Sequence, residues 1–487
     1  MKKIIAASGI ATSTLVISVA QAADLPVKAK SEEYVKICST YGPGFFYIPG
    51  ADTCIKVGGY VRADTDINAV ATFTPIIVST GGYGLNGPGS GNFGYPFRDS
   101  DDNDYFTRSR GLLSFDTRSE TDYGTLRSLI RFGLNWDSQQ APGAGPGTGL
   151  YFERAFIQFA GFTFGYTQSF FDLGVNYFMT TPIAGSFTWT TAAAYTAQFG
   201  NGLSATLSLE DAANRTTGVQ MAGTTPYPLI GISTTATGLS YASYQAGQQV
   251  PDIVANLRLD QQWGSLLLSG ALHEVNVQAP SYAGFIPGTE ASSQWGWALG
   301  AGFELKLPTL AAGDSLAVQA NYAQGAANYL GLAGTPQARG TGMGIIDLKQ
   351  VGGALTGTGG FYPVADAVAT SLLGDYALTS GWAVQASLRH FWTPMLRSAL
   401  GVAYAAYQTP QNIVAAYDFN TYQLNFNTTW SPVKNLDIAV EASFTKVDGS
   451  VPLGSYTAVN ASGALQASLV GGSADLWSGG VRVQRNF

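Results

Sequence analysis

Ile55-Lys56-Val57-Gly58-Gly59-Tyr60-Val61-Arg62-Ala63-Asp64-Thr65-Asp66-Ile67 alternates with a period of two. Its odd positions are apolar or small; its even positions carry Lys56, Arg62, Asp64 and Asp66. Successive side chains of a strand point to opposite faces, so one face meets an apolar medium and the other meets water. The pattern recurs. Leu126, Ile130, Phe132, Leu134 and Trp136 oppose Arg127, Arg131, Asn135 and Asp137. Tyr422, Leu424, Phe426 and Trp430 oppose Gln423, Asn425, Asn427 and Thr429. Segments of about ten alternating residues separated by turn residues are the signature of a membrane β-barrel.

Composition agrees. Of 487 residues, 46% are apolar, 12% aromatic and only 12% charged. A soluble domain carries about 25% charge. Aromatics at this level argue against disorder. Beyond residue 23 no apolar run is long enough for a spanning helix, and a net charge of −7 argues against nucleic acid as a partner. A large soluble β-sandwich also alternates. Against it stand the strand number, Trp136, Trp392, Trp430 and Trp477 at strand ends, and the closing run Val481-Arg482-Val483-Gln484-Arg485-Asn486-Phe487.

The expected strands are 55–67, 105–118, 122–136, 151–159, 162–168, 187–199, 203–211, 251–259, 265–276, 294–307, 314–325, 382–392, 396–407, 420–430, 435–447 and 476–487. Short and long connections alternate between them. Short periplasmic turns and long external loops are the barrel rule. Residues 366–379 also resemble a strand. A seventeenth strand would put the chain ends on opposite sides of the membrane and one of the similar turns 392–396 and 430–434 outside, so they are assigned to a long loop. The fold expected is therefore all-β: a 16-stranded antiparallel transmembrane β-barrel, wide enough for a water-filled lumen. The Gly-rich run Gly143–Gly147 neither follows a strand nor opens a helix, and is read as loop.

Residues 1–22 read as a signal peptide: Lys2 and Lys3, a short apolar stretch, then Ala20-Gln21-Ala22 as the cleavage site. Residues 23–54 form an N-terminal segment, and 55–487 the barrel. Export leads to an oxidising compartment, so Cys38 and Cys54 are expected as a disulfide. Two thiols without a nearby histidine are too few ligands for zinc.

Cys38-Ser39-Thr40-Tyr41-Gly42-Pro43-Gly44-Phe45-Phe46-Tyr47-Ile48-Pro49-Gly50, continuing through Thr53–Arg62, resembles the alphaproteobacterial outer-membrane porins of the Rhizobium and Brucella type. The resemblance returns at Ala155–Gly165, Phe199–Asp211, Arg389-His390-Phe391-Trp392-Thr393-Pro394 and Pro432-Val433-Lys434-Asn435-Leu436-Asp437. It implies a trimeric, passive pore for small hydrophilic solutes and ions in the bacterial outer membrane. Lipid and lipopolysaccharide would be its surroundings. It also implies that the third loop, 169–186, folds inward.

Inward positions on the first four strands hold Lys56, Arg62, Arg108, Arg110, Arg127, Arg131 and Arg154, a positive wall. Arg118, beside a short turn, is read as rim. Asp64, Asp66 and Asp116 face the same way and are available as ion partners; the facing of Glu153 is left open. The only carboxylate of the third loop is Asp172, expected to oppose the wall. A weak to moderate anion preference follows. The run Arg98–Asp104 resembles the start of a calcium loop, but Asp104 stands where glycine belongs, so it is read as solvated, with a divalent bridge to lipopolysaccharide as the alternative. His273 is expected to face the lumen and His390 to lie in an aromatic girdle by Trp392. Neither has a metal partner at helical spacing, so no catalytic residue, metal or cofactor is expected. Two rival readings are a selective channel with a binding site in its pore and an adhesive barrel closed by loop 326–381.

Overall fold

The computed structural model describes residues 36–487, apart from 71–72, 76–77, 81–104, 139–145, 181–182, 223–228, 231, 236–237, 242–244, 278–292, 333–342, 346–347, 352–353, 358–360, 363, 370–375, 412–415, 451–455, 460–464 and 471. The leader and the acidic run 98–104 lie outside the described residues.

Alternation produces sixteen long strands: β1 Cys54–Ile67, β2 Tyr105–Thr121, β3 Gly124–Asp137, β4 Gly147–Phe159, β5 Phe162–Gln168, β6 Trp189–Gly200, β7 Leu203–Glu210, β8 Asp252–Gln261, β9 Gly264–Val275, β10 Gln294–Lys306, β11 Ser315–Gln324, β12 Ser380–Thr393, β13 Leu396–Gln408, β14 Phe419–Val433, β15 Leu436–Gly449 and β16 Ser473–Asn486. Each pairs antiparallel with the next. The ring closes where β1 meets β16, in a register running from Tyr60↔Asn486 to Ile67↔Gly479. Closure leaves no edge, so every strand finds backbone partners on both sides without water, the condition for a sheet inside lipid.

Val61, Leu134, Leu207 and Leu268 point outward and are exposed, as the lipid face requires, whereas Arg62, Asp64 and Asp66 point in and are buried. Trp136 and Trp477 stand outward at the long-loop end, and Trp392 and Trp430 at the short-turn end. They form the two aromatic levels of a membrane girdle. His390 sits beside Trp392, with ring centroids 4.5 Å apart. The short turns use backbone that few residues tolerate: Asn201 has φ 51° and Gly202 φ 74°, the pair of positive values that lets a two-residue hairpin follow the strand twist.

The expected strand positions hold to within three residues at most ends, with one larger adjustment. β4 starts at Gly147, four residues earlier than expected, because Gly147 and Gly149 pair through their backbones with Asp137 and Asn135. Glycines leave no alternating signature. The described parts of 366–379 stay out of the ring, as expected. Ala367–Ala369 pairs with Tyr376–Leu378 and, in parallel, with the short strand Val219–Ala222 of the loop after β7.

The segment before β1 is a clip at the short-turn end. Phe46–Tyr47 pairs with the start of β1, and Cys38 bonds to Cys54 across sixteen positions. Cys38, Phe45 and Cys54 are buried together against Tyr41 and Tyr47, and Arg118 of β2 lies on the rings of Phe45 and Tyr41. Replacing both cysteines by serine should lower stability against urea by about 3 kcal/mol, the chain-entropy value for a loop of this length. The barrel should still close, because its sheet does not depend on the clip. A double-serine chain that never acquires β-sheet circular dichroism in detergent would contradict this.

Candidate functional site

The loop after β5, described over residues 169–180 and 183–188, folds into the barrel. An inward loop carries N–H and C=O groups that must be bonded away from water. The wall supplies the partners. Glu210 of β7 accepts from the Phe170 amide at 2.9 Å, and Asn256 of β8 donates to the Phe170 carbonyl at 2.6 Å. Ser269 of β9 donates to the Phe171 carbonyl. Glu441 of β15 accepts from the amides of Met179 and Thr180 at 2.5 and 3.0 Å, and Gln423 of β14 from that of Ile183. The Tyr177 hydroxyl donates to Glu304 of β10 at 2.7 Å, and burial pushes its pKa up to about 12, so it remains protonated. Phe178 lies on Gly401 of β13, where a Cβ would stand 2.5 Å from its ring. The loop therefore runs along the inner face from β7 to β15. The carboxylates of that face, Glu210, Glu304 and Glu441, anchor it.

The loops after β7 and β11 fill further space on the same side. Tyr329, Leu330, Leu332 and Val364 are fully buried with Phe171, Tyr407 and Tyr417. A polar chain ties these loops to the wall. Asp172 pairs with Arg215 at 3.1 Å, both side chains wholly buried. The Arg215 guanidinium lies 4.0 Å from the Tyr329 ring centre. The Tyr329 hydroxyl donates to Asp252 at 2.7 Å, and His273 Nδ1 lies 2.7 Å from the other oxygen of that carboxylate. Asp366 accepts from the amides of Thr217 and Ala327. Burial works against the Arg215 charge, but Asp172, Tyr329 and Glu210 together outweigh it and hold the guanidinium above its ordinary pKa.

The expected role of Asp172 is thus corrected. It lies in the third loop, but its carboxylate is consumed by Arg215, Ser186 and the Thr188 amide, not aimed at the wall. Arg215, 43 positions away on another loop, has no sequence signal linking it to Asp172. His273 faces inward as expected, but is buried rather than open to the lumen.

The basic residues do gather on β1–β4, in graded settings. Arg108 forks onto Asp137 at 2.6 and 2.8 Å. Arg110 donates to Asn135 and lies 3.6 Å from the Tyr151 ring centre. Arg62 shares Asp64 with Arg482 of β16, which the sequence reading missed because β16 closes on β1 only in the ring. These three wall arginines are buried, which corrects the expectation that they line an open passage. Asp66 is buried too, against Gly480 together with Phe73 of the first loop. Toward the short-turn end the side chains open. Arg118, Arg127, Arg131 and Arg154 are 27–29% exposed, and Lys56 lies near the Phe45 ring.

Register places arginines directly opposite one another three times: Arg62↔Arg110, Arg118↔Arg127 and Arg131↔Arg154. Like charges directly across a sheet repel, so each pair needs an acid. Asp116 bridges Arg118 and Arg127 with four hydrogen bonds of 2.9–3.2 Å. Glu153 lies 3.1 Å from Arg131 and 3.4 Å from Arg154. A β-bulge opposite Arg131/Phe132 brings it to this face, since the extra residue re-aims a side chain. That settles the facing left open by the sequence.

Truncating Arg215 to leucine should cost about 3–5 kcal/mol in urea unfolding, because it strands the buried Asp172 charge. The double change D172N/R215L should recover most of that loss. Equal losses in the single and double variants would show that the pair does not act as a unit.

The chain matches the porin subfamily over residues 24–471. Porin Omp2b of Brucella suis and porin Omp2b of Brucella abortus are each 30% identical to it over 270 residues, which is 53% of this chain and 62% of theirs. The chain thus spans less than two thirds of the length of these curated relatives. The crystal structure of the outer membrane channel DcaP of Acinetobacter baumannii superposes with a TM-score of 0.54 at 15% identity, covering 91% of this chain and 99% of that one, and shares the fold. Family and barrel together place the protein in the bacterial outer membrane. With a closed sixteen-stranded ring, an inward third loop and a match over nearly its whole length, this chain belongs to the porin subfamily.

Proposed function

We propose that the protein is a passive diffusion channel for small hydrophilic solutes and ions, working as a homotrimer among outer-membrane lipid and lipopolysaccharide. The observation carrying this reading is the asymmetry of the lumen. The third loop lies along the face from β7 to β15 and leaves Arg127, Arg131 and Arg154 of the β3–β4 wall partly exposed. A solute would pass between loop and wall. Flow would be down a gradient, with size limited by the loop and charge sorted by the wall.

Charge favours anions at the open end of the wall. Among the described residues, Lys56, Arg118, Arg127, Arg131 and Arg154 there outnumber the acids Asp116, Glu153 and, at the rim, Glu120. Arginine stays charged throughout the physiological range, so the excess persists. The overall negative charge of the chain acts from further away and is screened by salt over about 10 Å.

Purified protein in a planar bilayer under a KCl gradient should give ohmic steps, in groups of three, with a reversal potential favouring chloride. Arg127→Glu should shift that potential toward cations. Cation preference in the unaltered protein would keep the channel and sink the role of the wall. A silent bilayer with folded protein would sink the open-channel reading in favour of a barrel closed by its loops.

A further inference from the structure

The three opposed arginine pairs are not equally satisfied. Arg118 and Arg127 each fork onto Asp116, which fills the space between them with one carboxylate. In the Arg62–Arg110 pair, Arg62 meets Asp64 at 2.8 Å and Arg110 donates to Asn135, and both arginines are buried away from the lumen. Arg131 and Arg154 differ. Among the described residues neither guanidinium makes a hydrogen bond; each makes an ion-pair contact with Glu153. Arg131 Nε lies 3.1 Å from Glu153 Oε1, and the rest of each guanidinium is turned toward the lumen, whereas the Arg62 side chain, whose Nε is likewise without a hydrogen-bond partner, is only 7% exposed. On β2 the position level with Arg131 is Ser114, which adds no charge.

Two guanidiniums share one carboxylate in this pair as in Arg118–Arg127, so each pair keeps a surplus of one positive charge; at Arg131 and Arg154 that surplus is not engaged in hydrogen bonds. Each carries five donors in a planar fork, and unmet buried donors cost free energy. Both side chains are nevertheless 28–29% exposed, so a solute in the lumen has access. The Arg154 guanidinium is also held against the Trp189 ring, 4.5 Å from its centre, which limits the rotamers it must give up on binding. The Arg118–Arg127 pair, about 13 Å along β3 at ~3.3 Å per residue, shows what full engagement looks like: there Asp116 makes four hydrogen bonds to the two guanidiniums, where Glu153 makes only ion-pair contacts with Arg131 and Arg154.

We propose that Arg131 and Arg154 together bind the carboxylate group of a small organic monoanion in transit. One negative charge neutralises the surplus; a dianion would overshoot it. A carboxylate accepts from planar forks two bonds at a time, which chloride, a sphere, does not. Glu153 sets the strength, since it competes for both guanidiniums. The channel would then be a general pore with one weak, saturable station for carboxylates on its wall. This inference rests on the channel reading above.

The test uses full-length protein in proteoliposomes, with radiolabelled gluconate at neutral pH and glucose as the uncharged comparison. Initial gluconate uptake should saturate with concentration while glucose uptake stays linear. Arg154→Gln should raise the half-saturating gluconate concentration about tenfold, the loss of one charge-assisted contact. Glu153→Gln should lower it several-fold by freeing both guanidiniums. β-sheet circular dichroism in detergent confirms that each variant has folded, and the opposite directions separate binding from damage. Linear gluconate uptake, or a half-saturation that neither variant moves, would overturn the site while leaving a conducting channel intact. Absence of both glucose uptake and KCl conductance would instead strike the channel reading itself.

Discussion

Closing β1 onto β16 is the constraint from which the rest of the structure follows. An open sheet of this length would present a row of unpaired amides to lipid, where no water can satisfy them. The ring removes the edge and forces each strand to hold one apolar and one polar face. It also brings the two ends of the chain together, so that Arg482 reaches Asp64 across more than four hundred residues. The clip formed by Cys38, Cys54 and Phe46–Tyr47 sits beside this seam and ties the leading segment to it.

Once the ring exists, its interior must be shared between loops and solvent. Folded loops bring polar backbone with them, and the wall answers with side chains placed to receive it. Glu441 takes two loop amides and Glu210 a third. This explains a division of labour between the two halves of the barrel. Glu210, Glu304 and Glu441 on the β7–β15 side are structural, because their charge is spent on the loop. Cations on the β1–β4 side stay nearer the lumen. The lumen field therefore arises less from a count of charges than from which charges are already engaged.

The wall itself is graded. Near the long-loop end Arg62, Arg108 and Arg110 are buried and held by Asp64, Asp137 and Asn135. Near the short-turn end four arginines share two carboxylates and remain partly exposed. Arginine suits both settings. Its fork stacks on Tyr151 where it is buried and spans a carboxylate where it is open.

The fold was legible in the sequence because its cause is local. A strand with lipid on one side and water on the other must alternate, and sixteen alternating segments with short and long links in turn define an up-and-down barrel. The arginines could be placed on the inner face for the same reason. Gly147 and Gly149 of β4 escaped because glycine has no face to alternate. Other features depended on contacts between distant segments, which periodicity cannot report. The burial of Asp172 against Arg215, the anchoring of the third loop by Glu441, the bulge that turns Glu153 inward and the contact of Arg482 with Asp64 arise only when loops and strands far apart in the chain meet. The sequence by itself determined which residues face inward wherever the alternation is unbroken, as it is not at Glu153. Only the tertiary structure decided which inward charges are neutralised and which stay available, because neutralisation depends on distances of a few ångströms between groups that the ring alone brings together.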